Sequence, residues 1–193
     1  MVRESLDLLD IKVLCGRNEK VLIKPNLVFP TPPETAETTH PAIVAAFVKI
    51  CKETGAHVTV GESCAWDLSF DAVLEATGVK SAALDAGADE IVDFARAERV
   101  DVKIPGARSI RTASIPACVV EADVVINLPK MKNNITTLTT LSIKNMLGLL
   151  KAEDRHQYHR TPWDMAWAVN DLFKIVKDKH RLTLIDGIIG VEG

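Results

Sequence analysis

A short apolar run, VVINL at 124–128, passes without a break into lysines, amides and hydroxyls, and this junction constrains the fold more than any other feature of the chain. A strand of that kind is buried on both faces, so it belongs to a parallel sheet covered by helices. Its carboxyl end is where an α/β protein opens a pocket. The following segment, 130–160, carries six cations (Lys130, Lys132, Lys144, Lys151, Arg155 and Arg160) against two anions, Glu153 and Asp154. A ligand held there is expected to be anionic.

The rest of the chain supplies the partners such a strand needs. A helix over 2–15, with Leu8, Ile11 and Cys15 on one side, leads into a short strand at 21–24 that stops at Pro25. After a loop rich in proline and threonine, Pro41 opens a helix with an apolar stripe of Ile43, Val44, Phe47, Val48 and Cys51, which Gly55 ends. A strand at 57–60 completes a β-loop-α-β unit with parallel pairing. Further expectations are a helix over 69–86, a strand at 91–94, a hairpin of 100–104 with 109–115, helices over 135–150 and 163–176, and a last strand at 181–185. The fold class is α/β, a mostly parallel sheet with helices on both faces in three layers, and 1–193 forms one domain.

Composition removes several functions. With 47% hydrophobic and 25% charged residues the 193-residue chain has material for a sizeable core, and its net charge of -3 gives no global reason to bind nucleic acid or an anionic membrane. No apolar run approaches the span of about 20 residues that a membrane helix needs, and no signal peptide opens the chain, so a soluble, cytoplasmic protein is expected. Cys15, Cys51, Cys64 and Cys118 are too widely spaced for a C-x-x-C cluster motif and read as reduced packing residues, so no iron–sulfur cluster is expected in this chain.

If the strands are parallel, the polar residues after each of them converge on one rim: Lys24 and Asn26, Glu62 and Ser63, Asp93, Asn127, Lys130 and Lys132, and Asp186. PKMKNN lacks the glycines of a phosphate loop and the chain has no G-x-G-x-x-G, so a nucleotide fold is unsupported. Lys130 and Lys132 are candidates to neutralise a carboxylate or phosphate, helped by Asn133 or Asn134 if either caps the next helix. Helical periodicity puts Thr137, Thr140, Lys144 and Lys151 on one face and makes Lys144 a surface lysine, while Asn145 and its polar neighbours need buried partners. His156 and His159 in RHQYHR are the candidates for proton transfer, since imidazole titrates near neutrality. As a metal pair they lack a third ligand unless the fold delivers His40, Glu62 or Asp186, and no metal site is assigned.

At these same residues the chain resembles domain-of-unknown-function family 362, members of which are often fused to ferredoxin-like four-iron modules. The matching strings are VLIKPNLV (21–28), TGAHVTVGES (54–63), DVVINLPKMK (123–132), LSIKNMLGLL (141–150), DRHQYHR (154–160) and LTLIDGIIGVEG (182–193). The resemblance implies an α/β domain in which Lys24, Lys130, Lys132 and Lys144 line a common site, which moves Lys144 from surface to function. Family members commonly carry histidine where this chain has Asn134, and the family domain extends past both ends, so the chain is expected to be an incomplete copy.

Two functions remain open at this point. One is an enzyme domain, redox-linked or acting at a carbon next to a carboxylate, that binds an anionic small molecule or cofactor among Lys24, Asn26, Lys130, Lys132, Lys144, Asn145 and Arg155, with His156 or His159 moving protons. The other is a non-catalytic docking or electron-transfer scaffold for an acidic, ferredoxin-like partner. A catalytic pocket should be concave and partly buried, whereas a docking patch should be convex with mobile lysines.

Overall fold

The apolar runs become neighbouring strands in the computed structural model, which describes residues 1–9, 13–65, 68–134 and 138–191. In chain order the elements are α1 (Val2–Leu8), β1 (Lys20–Pro25), α2 (Pro41–Glu53), β2 (His57–Glu62), α3 (Phe70–Ala76), α4 (Val79–Asp85), β3 (Glu90–Asp93), β4 (Arg99–Lys103), β5 (Thr112–Pro116) and α5 (Ala117–Glu121). Then follow β6 (Val124–Leu128), β7 (Lys130–Asn134), β8 (Leu138–Thr140), a 3-10 segment (Ser142–Leu149), α6 (Ala152–Arg155), a 3-10 turn (His156–His159), α7 (Pro162–Val176), β9 (His180–Thr183) and β10 (Asp186–Val191).

The main sheet has the order β3-β2-β1-β6-β9, and every pairing in it is parallel. From β1 the chain winds outward through β2 to β3, then returns to place β6 on the other side of β1. The direction of winding therefore reverses between β1 and β6, whose carboxyl ends pair Lys24 with Asn127 and Pro25 with Leu128. Chains leaving two such strands diverge and leave a crevice between them.

Side-chain alternation along the strands builds two cores. Val21, Ile23, Val58, Val60, Val124 and Ile126 pack with α2, α3 and α4, whereas Leu22 and Val125 pack with α5, the 3-10 segment and α7. This is the three-layer arrangement expected of a parallel sheet with both faces covered. The helix ends follow ordinary capping chemistry: His40 Nδ1 accepts from Ala42 N at 3.2 Å ahead of Pro41, and Thr161 accepts from Asp164 N at 3.1 Å ahead of Pro162. Gly61 in β2 is required for a different reason, since a Cβ there would overlap the ring of the fully buried Phe94. No helix among the described residues is long and apolar enough to cross a membrane.

Four local expectations are corrected. The first helix spans Val2–Leu8, with Leu6 facing the core and Leu8 at 88% exposure; Ile11 lies outside the described residues. The helix expected over 69–86 is two helices separated at Gly78, whose φ of 69° a helix cannot accommodate. Asp186 starts a further strand, β10.

The largest difference lies at 130–150. Instead of a loop, an asparagine cap and a long helix, Lys130–Asn134 is a strand that pairs antiparallel with Leu138–Thr140 and parallel with β10 in a second, three-stranded sheet. Ser142–Leu149 continues in 3-10 form; residues 135–137, Thr137 of the expected polar face among them, lie outside the described ones. The physical reason is composition: a run of β-branched and hydroxyl residues, TTLTTLS, loses rotamer freedom in a helix and favours extended pairing.

Candidate functional site

The crevice between β1 and β6 is closed underneath by amides. Asn145, 3% exposed, donates from Nδ2 to Asn127 Oδ1 at 2.8 Å and to Pro25 O at 3.1 Å, and its Oδ1 accepts from Asn26 Nδ2 at 3.1 Å. Asn127 in turn donates to Ser142 O at 2.9 Å. These bonds fasten the 3-10 segment across the switch point, and they explain why polar residues interrupt its apolar pattern. Asn26 Oδ1 is buried with no partner among the described residues.

Two buried ion pairs flank this floor. Lys24 Nζ contacts Glu62 Oε2, with side chains 1% and 3% exposed, and Lys130 Nζ lies 2.7 Å from Asp186 Oδ2, both side chains fully buried. Each carboxylate has further donors: Glu62 accepts from Ser63 N at 2.8 Å, and Asp186 from His40 N at 2.7 Å and Ile188 N at 3.0 Å. Burial still pulls the Lys24 ammonium below its ordinary pKa, and the attraction of Glu62 opposes that shift. Gly148 sits directly on the first pair, where a Cβ would overlap Glu62 Oε1 and lie 3.1 Å from Lys24 Nζ. The glycine in NMLGLL is thus a requirement of close approach.

Above the floor lies a cavity of about 480 Å³. Glu62 reaches it from the end of β2 and Asn26 from just beyond β1, Lys132 and Thr140 from the second sheet, Lys144 from the 3-10 segment, and Arg155 from α6. His156 and His159 stand on its exposed rim. Lys132 Nζ donates to Glu37 O at 2.7 Å, while Lys144 Nζ is 3.4 Å from Thr140 Oγ1. Arg155 donates to Leu150 O at 2.9 Å, to Cys64 O at 3.3 Å, and to Ser63 Oγ.

All of these acceptors are neutral. Among the described residues none of the three cations forms an ion pair, and burial is the first cause acting on each. It pushes the Lys132 and Lys144 ammoniums down to about 8 and lowers the Arg155 guanidinium from its usual value. For Lys132 the nearby charges of Lys144 and Lys130 act in the same direction, against Glu37 and Glu62.

The residues singled out from sequence therefore fall into separate groups. Lys132, Lys144, Arg155 and Asn26 come together on the cavity with His156 and His159 at the rim, and Asn145 both lines the cavity and locks the floor. Lys24 and Lys130 sit beneath or beside the cavity, each committed to a buried carboxylate. His40 is held at the start of α2, and among the described residues no group of three His, Cys, Asp or Glu side chains could hold a metal ion. Sequence reasoning placed Glu62 on the rim but missed its pairing with Lys24. The available signal was that β1 and β2 are neighbours and that a charged residue, Lys24 or Glu62, follows the apolar run of each. Thr140 and Gly148 were missed because helical spacing is the wrong ruler for this stretch.

The comparisons with known proteins cover this same region. A family model described as a domain of unknown function, DUF362, matches residues 21–193. A thylakoid-associated protein of the cyanobacterium Synechocystis sp. is 29% identical over 180 residues, covering 91% of this chain and 53% of that protein. The chain thus spans about half the length of the curated relative it matches. The family match begins at the second residue of β1 and takes in every side chain of the cavity wall and both buried ion pairs, so the chain belongs to the domain-of-unknown-function family DUF362.

Proposed function

We propose that the cavity above the β1/β6 switch point is an enzyme site that binds a small organic anion between Lys132, Lys144 and Arg155. One observation carries the reading: among the described residues three desolvated cations share a concave site without forming an ion pair, while the two neighbouring buried lysines each have a carboxylate in contact. Removing a cation from water without pairing it costs several kcal/mol, and an arriving carboxylate or phosphate recovers that cost through charge-assisted hydrogen bonds. A volume near 480 Å³ suits a small metabolite. His156 and His159, exposed at the mouth, are positioned to exchange protons between ligand and solvent. The concave, half-buried placement of both lysines supports this reading over a docking patch for an acidic ferredoxin-like partner, which needs its cations on a protruding, solvated surface.

The test is calorimetric titration of the chain with oxalate and inorganic phosphate at two ionic strengths, for wild type and Lys132→Ala. A buried site predicts a loss of about 1.5–3 kcal/mol of binding on substitution, little changed by salt. A loss under about 1 kcal/mol that disappears at high salt marks an exposed patch instead.

A further inference from the structure

The two cavity lysines are not equivalent. Lys132 Nζ is fixed by a short bond to Glu37 O at 2.7 Å, whereas Lys144 Nζ meets the Thr140 hydroxyl at 3.4 Å, too long to hold it firmly. Arg155 is anchored by three acceptors. One amine thus stands loosely held in a pocket whose other two cations are fixed in place. An anion clamp has no need of that asymmetry, but a nucleophile beside a clamp does.

We propose that Lys144 is a nucleophilic amine that condenses with the carbonyl group of a small 2-oxo acid, whose carboxylate is held by Lys132 and Arg155. The inference rests on the anion-binding reading above and adds to it the substrate class and a covalent step. In that step the lone pair of neutral Lys144 Nζ forms a bond to the carbonyl carbon, and a proton passes from nitrogen to the carbonyl oxygen to give a carbinolamine. A second proton, supplied from the rim where His156 and His159 meet solvent, lets that oxygen leave as water, and a protonated imine remains. No electrons are gained or lost, so no oxidant or reductant is required.

Burial supplies the neutral amine this step consumes. With its ammonium pushed down to about 8 by desolvation, Lys144 is uncharged in roughly a tenth of molecules at pH 7. An ordinary lysine is uncharged in fewer than about one in a thousand. Lys24 and Lys130 are excluded from the role, because neither side chain is accessible to a ligand and each is paired. Imine formation also fits the site's charge pattern, since the carbonyl carbon next to a carboxylate approaches Lys144 once the carboxylate is seated on the two anchored cations.

The experiment treats the full chain with pyruvate and sodium cyanoborohydride at neutral pH and maps the reduced adducts by peptide mass. Oxalate binding to wild type is measured in parallel, and Lys144→Arg, which keeps the charge but cannot form the imine, is carried through the labelling. The expected result is labelling of Lys144 at least tenfold faster than of any other lysine, its loss in Lys144→Arg, and oxalate binding by the wild type. The wild-type map stands whether or not the variant folds. If wild type binds oxalate yet labels Lys144 no faster than surface lysines, the imine proposal falls and the anion site survives. If wild type does not bind oxalate and Lys144 is not preferentially labelled, both fall together.

Discussion

The ion pairs beneath or beside the cavity and the cations lining it both rest on lysine, and Lys130 and Lys132 are neighbours but one in sequence, yet they stand in opposite electrostatic conditions. Lys24 and Lys130 are the more deeply buried, and each has a carboxylate that itself accepts backbone N–H bonds. Lys132, Lys144 and Arg155 are less deeply buried, and their acceptors among the described residues are neutral. Burial with a partner is architecture: the first pair ties β1 to β2 under Gly148, and the second ties β7 to the start of β10. Burial without a partner costs stability and is retained here in one cavity, which is the pattern expected where a ligand supplies the missing charge.

That contrast can be broken most forcefully at Glu62. Glu62→Gln leaves Lys24 buried opposite a neutral amide, and unfolding stability should fall by about 3–5 kcal/mol in a urea titration. Replacing both partners, Lys24→Met with Glu62→Leu, should recover most of the loss. Full stability of Glu62→Gln alone would show that the pair is not structural. For the cavity the prediction runs the other way. Lys132→Met should leave stability unchanged or slightly higher while weakening oxalate binding by about 1.5–3 kcal/mol. A destabilised Lys132→Met would place this lysine with the architectural pair.

A smaller effect is expected from Gly148→Ala, which forces a methyl group onto the Lys24–Glu62 contact and should cost about 1–3 kcal/mol in thermal or urea unfolding. Smallest for each residue is the pH dependence. Lys132 and Lys144 titrate near 8 when folded and near 10.4 when unfolded, so between those values the unfolded chain holds more protons and stability rises with pH. Below about pH 8 the penalty is present in full. The rise should be on the order of 1–2 kcal/mol per lysine after solvent screening, and a Lys132→Met, Lys144→Met double variant should lose it. Oxalate binding should move oppositely, declining as pH passes 8 and the amines lose charge.

Much of the fold was legible because continuous apolar runs bounded by glycine, proline or a charge can be little else than buried strands. The runs at 21–24, 57–60, 124–128 and 181–185 reappear as β1, β2, β6 and β9 of one parallel sheet within a few residues. The stretch 130–150 was not legible, because Lys130–Asn134 has neither the apolar run of a buried strand nor clean alternation, and its pairing with β8 and β10 depends on partners up to some sixty residues away. The same distance hid the division among the lysines. Lys24 meets Glu62 across 38 positions and Lys130 meets Asp186 across 56, and no local pattern reports either. What local reading did find was the excess of cations over anions in 130–160, the polar residues of the strand ends, and the histidines now seen at the cavity rim.

The central claim is that Lys132 and Lys144 are desolvated amines awaiting an anion, and their titration reads it directly. Lysine carrying a ¹³C label at Cε would be incorporated, the two signals assigned by Lys→Arg variants, and their shifts followed by NMR from pH 6 to 12 with and without saturating oxalate. Both amines should titrate near 8 in the ligand-free protein, apart from the surface lysines, and oxalate should move both upward. Two amines titrating near 10.4 and indifferent to oxalate would contradict it.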